Sequence, residues 1–159
     1  MVRFTRLTRT RITSFFPDLN VWLALSDAGN FHHAKAWNWL NQLSGDARII
    51  FSRYTQLGLL RLLTNRAVMG DQTLVLQKAW EVYDHWLEDS RVEFYPEPSG
   101  LEAGFRETTE PFAGKAAPKW IGDCYLLAYA KHSHATLVTF DKGLHHLAHK
   151  QHCSAVDPG

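Results

Sequence analysis

Cysteine is scarce in this chain. Its 159 residues hold two, Cys124 and Cys153. They make no disulfide framework and no paired zinc-gripping motif, so a reducing, cytoplasmic setting is the expectation. A dominant charge is missing too. Seventeen Lys and Arg face sixteen Asp and Glu, a net charge near +1. That excludes a protein that grips nucleic acid by bulk charge alone, though not an enzyme with a local basic rim. No apolar run approaches the roughly 18 residues of a membrane helix, so no membrane span is expected. No Gly-rich phosphate loop, HExxH or Ser-His-Asp arrangement is apparent.

What is present suits a folded enzyme. Hydrophobic residues make up 45% of the chain and aromatics 13%, enough for a core and against disorder. The length fits one domain, read as residues 12–157. Residues 1–11 are rich in Arg and Thr and lack acids. They read as a basic N-terminal extension, with a targeting segment or an RNA-phosphate contact as further readings.

Strand and helix patterns alternate along the chain. Strands are expected at residues 12–16 (stopped by Pro17), 48–51, 92–95 and 136–140, with an edge strand at 155–156. Helices are expected at 20–26, 31–43, 55–63, 73–87, 101–106, 120–133 and 144–149. The 31–43 segment carries Phe31, Ala34, Trp37, Leu40 and Leu43 at helical spacing. Thr55 or Ser52 is a plausible N-cap. Residues 108–118, with two prolines and a glycine, read as a loop. Such alternation predicts an α/β fold with a central, mainly parallel sheet flanked by helices.

Three acids stand where the pattern changes. Asp18 and Asp141 follow strands, and Asp123 falls in what reads as the first turn of a helix. Ligands in open α/β sheets gather outside the carboxyl ends of strands, so all three can share one rim. Taken singly, each Asp is as well explained as a helix cap. Taken together, carboxylates about 4 Å apart repel by roughly 4 kcal/mol at an effective dielectric near 20, and Mg²⁺ or Mn²⁺ relieves that conflict. The histidines tempt towards zinc. His145, His146, His149 and His152 gather near Cys153, but the spacing matches no zinc motif, and a solvated helix face is the better reading. Most tryptophans fall on apolar faces and read as core. Trp39, off the main stripe, is the better candidate for a partner groove.

Four blocks carry a resemblance. Asp18-Leu-Asn20, Thr55-Gln56-Leu-Gly-Leu-Leu-Arg61, Gly122-Asp123-Cys-Tyr-Leu-Leu-Ala and Thr139-Phe140-Asp141-Lys-Gly resemble, in order and spacing, the motifs of PIN domains in the VapC-like toxin branch. The resemblance implies a metal-dependent endoribonuclease using Mg²⁺ or Mn²⁺, a cognate antitoxin, an RNA substrate and a homodimer. It implies that Asp18, Asp123 and Asp141 bind the metal. Asn20 would orient Asp18, and Thr139 would help hold water near Asp141. Gln56 stands where many relatives carry glutamate and would add a supporting contact without charge. Arg61 and Lys119 are candidate contacts to RNA phosphate. The alternative is a catalytically weak PIN-like module that binds RNA or protein.

Overall fold

The computed structural model describes residues 12–159; the basic extension expected at residues 1–11 lies outside the described residues. In chain order the elements are β1 (Ser14–Pro17), α1 (Leu19–Ser26), α2 (His33–Gln42), β2 (Arg48–Phe51), α3 (Arg53–Leu63), α4 (Arg66–Met69), α5 (Leu76–Leu87), β3 (Val92–Phe94), α6 (Leu101–Thr109), α7 (Pro118–His132), β4 (Thr136–Val138), α8 (Lys142–Lys150) and β5 (Ala155–Val156). Short 3-10 turns follow α4 and α6. The strands form one sheet in the order β3-β2-β1-β4-β5. Every neighbouring pair is parallel.

Period-two alternation sends side chains to opposite faces of this sheet. Ile49, Phe51 and Val138 join the core under α1, α2, α3 and α5. Phe16, Ile50 and Leu137 join the core under α6, α7 and α8. Trp22 stacks flat on Phe51 with ring centroids 3.7 Å apart, and Trp86 meets Trp22 edge-on. Phe16 packs against Tyr129 on the other face. The tryptophans Trp22 and Trp86 are thus core residues, as their positions predicted, while half-buried Trp39 packs edge-on against Phe15.

The topology decides where ligands can gather. The chain moves outward from β1 through β2 to β3, then returns to place β4 on the other side of β1. The strand order therefore reverses between β1 and β4, the place where ligands gather beyond the carboxyl ends of strands in such sheets.

Several boundaries differ from the sequence reading. Pro17 does not stop β1 but is its last residue, in register with Val138. Its missing N–H does no harm there, because registered pairing with β2 has ended at Phe15. The helix carrying Asp123 starts two residues earlier than expected, with Pro118 at its first position, where proline's fixed φ suits a helix start. Asp123 therefore lies in the second turn, and the helix-dipole argument for it lapses. Residues 108–118 are not one loop: α6 runs to Thr109 and a 3-10 turn spans Glu110–Phe112. The short helix α4 was not anticipated. Ser52 is the cap of α3, in a reciprocal capping box with Thr55.

Candidate functional site

Asp18 and Asp141 leave the carboxyl ends of the two adjacent strands that flank this switch point. Asp18 is anchored by its own backbone, whose N–H donates to the Val138 carbonyl of β4 at 2.8 Å. Its Oδ1 caps α1 by accepting from the Leu19 N–H at 2.6 Å, and its Oδ2 accepts from the Thr139 hydroxyl at 3.0 Å. Asp141 caps α8: Oδ1 accepts from the N–H groups of Gly143 and Leu144 at 2.8 and 3.1 Å. Capping and site-building are therefore compatible in this chain. The cap occupies one oxygen of Asp141 and leaves Oδ2 without a hydrogen bond among the described residues.

Thr139 is the hub of the group. Its hydroxyl donates to Asp18 Oδ2, accepts from Asn20 Nδ2 at 3.2 Å and accepts from the Asp141 N–H at 3.0 Å. One donor and two acceptors exhaust a hydroxyl. The resemblance implied that Thr139 helps hold water near Asp141; with its three hydrogen bonds all made within the protein, it sets the spacing of Asp18 and Asp141 instead. Asn20 also accepts from the Phe140 N–H through Oδ1 at 3.3 Å. Asn20 reaches Asp18 only through Thr139, and it fixes the β4–α8 turn against α1.

The third acid, Asp123, comes from α7 and has no hydrogen-bonding partner among the described residues. The three grade from buried Asp18 through half-buried Asp123 to exposed Asp141. Their mutual field is visible in their acidities. Burial, then the charges of Asp141 and Asp18, push the Asp123 carboxyl up to about 6, with Lys119 opposing. Burial also raises Asp18, assisted by Asp141, while the Thr139 hydroxyl and Leu19 amide pull the other way. Among the described residues no Lys or Arg forms an ion pair with any of the three.

This donor set suits a hard divalent cation: it is all oxygen, negatively charged and unneutralised. Among the described residues no three such side chains close into a finished cage. Were a cation such as Mg²⁺ bound here, the acids would supply part of its coordination sphere and leave the rest to water or phosphate oxygen. The histidines follow the solvated reading. His145, His146 and His149 line an open hollow of about 490 Å³ beside Asp141, together with Cys153, and form no zinc-type cluster.

The structure separates the remaining candidates. Gln56 is buried; its Oε1 accepts from Arg53, and it lies near Tyr83 of α5. It belongs to the packing between α3 and α5, so it does not stand in for a site glutamate. The reason is helical phase. Tyr54, Gly58 and Arg61, spaced by four and three, form the face of α3 that looks to the rim, and Gln56 is two residues off it. Leu19, the residue after Asp18, fills the space over Gly58, where an added Cβ would fall 2.2 Å from the Leu19 side chain. Arg61 is exposed on this face and Lys119 is exposed on the flank of α7, its Nζ 4.7 Å from the Trp120 ring centre.

Tyr54 was missed by the sequence reading. An added Cβ on Gly122 would fall 2.5 Å from its Oη, so the phenol reaches α7 next to Asp123. Burial raises its pKa, with Asp18 and Asp123 adding and Arg61 opposing. The available signal was Gly122 beside Asp123, a gap in an otherwise bulky helix.

The pattern that defines the PIN domain matches residues 15–150. Over 130 residues the chain is 42% identical to ribonuclease VapC41 of Mycobacterium tuberculosis, covering 78% of this chain and 86% of that protein. Among solved structures, VapBC2 from Rickettsia felis, bound to a DNA fragment from its promoter, superposes with a TM-score of 0.68 at 16% identity, over 91% of this chain and 98% of that one. VapC20 of M. tuberculosis, a sarcin-ricin loop cleaving toxin, superposes with a TM-score of 0.61 at 17% identity, over 83% and 93%. At such identities these two structures speak for a shared fold.

Proposed function

The chain belongs to the PIN-domain family, in its ribonuclease VapC branch, and from that premise we propose that it is a metal-dependent endoribonuclease, the toxin of a toxin–antitoxin pair acting in the cytoplasm. One observation carries the reading: three carboxylates from three separate elements, two of them beyond the carboxyl ends of the strands flanking the switch point, lie close enough to raise one another's pKa, and no Lys or Arg forms an ion pair with any of them among the described residues. Asp18, Asp123 and Asp141 would hold Mg²⁺ or Mn²⁺. Once bound, such a cation supplies the missing positive charge and polarises water and phosphoryl oxygen for hydrolysis.

The chain's own work is positioning. Thr139 and Asn20 hold Asp18 at a fixed distance from the α8 cap. Asp123 and Asp141 are more exposed than Asp18, so an RNA strand would approach from their side. Lys119 and Arg61 flank the acids and would take phosphates on either side of the cut. No described helix is long and apolar enough to cross a membrane. The Rickettsia felis relative is a VapBC assembly, which supports a cognate antitoxin as partner here; a homodimer and an RNA substrate complete the proposal.

The test is cleavage of single-stranded RNA by the purified chain. Activity should require Mg²⁺ or Mn²⁺, stop with EDTA and vanish in Asp18→Asn and Asp141→Asn. Undiminished cleavage by either variant, or in EDTA, would overturn the reading.

A further inference from the structure

Beside the acids, the rim face of α3 continues into a basic hollow. It has a volume of about 550 Å³ and is lined by Leu19, Gly58, Arg61, Asn65 and Arg66. Leu19 adjoins Asp18, so the hollow begins where the acid cluster ends. Arg61 and Arg66 are exposed, and neither has an acidic partner or a side-chain hydrogen bond among the described residues. Among the described residues Arg48, Arg91 and Arg106, by contrast, are each paired with a nearby acid. Guanidinium groups keep their charge at any working pH and fit phosphate bidentately.

Tyr54 stands between the arginines and the acids. Tyr54 is 38% exposed. It leans on Tyr125 with centroids 5.3 Å apart and planes at 36°, and Tyr125 is itself fixed by Phe105 and by a hydrogen bond to Glu97. The ring is thus propped from behind and open in front. A rigid aromatic beside two unpaired arginines is the combination that holds unpaired nucleic acid, with bases on the ring and phosphates on the cations.

We propose that Tyr54, Arg61 and Arg66 form the track for the RNA strand on one side of the scissile bond. Tyr54 stacks on the base next to the cut, and Arg61 and Arg66 hold the phosphates beyond it. The track selects single strands, since a paired base cannot lie on Tyr54. It rests on the reading that the acid cluster cuts RNA, but it is tested without cleavage.

The experiment is binding of a fluorescein-labelled single-stranded RNA of mixed sequence to the full chain in EDTA, followed by anisotropy across a salt series. The Arg61→Gln/Arg66→Gln double variant should bind at least about tenfold more weakly near 0.1 M salt, and its log–log salt slope should be shallower by about 1.4, near 0.7 per lost phosphate contact. Tyr54→Ala should weaken single-strand binding roughly tenfold, while Tyr54→Phe keeps it. Lys78→Gln, on α5 and lining a different hollow, should change neither affinity nor slope. Wild-type affinity and slope in the double variant overturn the track, as does a Tyr54→Phe loss equal to that of Tyr54→Ala, or failure of the unmodified chain to bind. Loss of metal-dependent cleavage in Asp18→Asn with these results absent would leave the nuclease reading standing and remove only the track.

Discussion

Two acidic centres in this molecule use the same residue type to opposite ends. At the carboxyl ends of the strands, Asp18 and Asp123 are held above the ordinary carboxylate range by burial and by one another. At the amino end of β3, Asp89 is pulled below it, chiefly by hydrogen bonds from Arg91. Asp89 Oδ1 accepts from the backbone N–H and Nε of Arg91 at 2.9 and 3.0 Å, and Oδ2 accepts from the guanidinium at 2.7 Å. Arg91 also donates to the Leu40 carbonyl at 3.0 Å, tying β3 to α2. One centre has its countercharge built in and stabilises the fold. The other lacks it, and its raised carboxyls are expected to cost stability at neutral pH while no cation is bound. Carboxylates left unneutralised in this way support the proposal that an external cation binds there.

The largest expected effect tests the functional half of that contrast. Asp18→Asn should lower RNA cleavage at least about a hundredfold, the scale set by losing one preorganised electrostatic group. It should not lower the melting temperature, because asparagine still caps α1 and a raised carboxyl is lost. Strong destabilisation of this variant would place Asp18 with Asp89 and erase the contrast. The structural half is tested by Arg91→Ala. It should cost about 2 kcal/mol, by stranding the Asp89 carboxylate and the Leu40 carbonyl. That is a fall of about 5 °C in melting temperature for a chain of this size, with cleavage per folded molecule unchanged.

The two centres also differ in how far the sequence disclosed them. Asp18 and Asp141 were legible because a strand, an acid and a helix start follow one another locally, and the cap obeys the same rule as the site. The parallel sheet was legible from alternation, and β2 and β5 were placed at their observed bounds. Tyr54 and Gln56 were not separable. Both sit on one helix, and only the rotation of α3 over the sheet decides which faces the rim. Thr139 was found, but two of its three hydrogen bonds run to Asp18 and Asn20, far away in sequence, so its bracing of Asp18 was not anticipated. Asp123 was placed one turn too early because Trp120, not Pro118, was read as the start of α7. The Asp89–Arg91 pair drew no notice at all, since two opposite charges two residues apart are common and only β3 packing against α2 gives them weight. Helix α4 spans four residues, too short for a hydrophobic period to emerge.

The pH dependence of the metal-free chain sharpens the comparison. A folded-state pKa raised above the unfolded value means the native state binds more protons, so stability falls as pH rises through the window. For Asp123 the window runs from 3.8 to about 6. For Asp89 the shift is downward, so its contribution is present above 3.8 and is lost as pH falls through its folded value. Thermal melts in EDTA should therefore rise as pH drops from about 6 to about 4, then fall below that as Asp89 protonates. A flat profile between 4 and 6 would mean that the rim acids do not feel one another.

The smallest expected effect isolates Asp123 within that window. Its shift of roughly two units corresponds to about 3 kcal/mol if taken whole, and to about 1 kcal/mol after discounting for its partial exposure. In EDTA at pH 7.5, Asp123→Asn should melt about 2–4 °C above the unmodified chain. At pH 4, where the native carboxyl is already protonated, the two should coincide. Saturating Mg²⁺ should reverse their order, since only the unmodified chain gains the full benefit of the cation through linkage. Equal melting temperatures at pH 7.5 with and without the substitution would show that Asp123 carries no unrelieved charge. The rim would then resemble the Asp89–Arg91 centre, with its charge balanced from within.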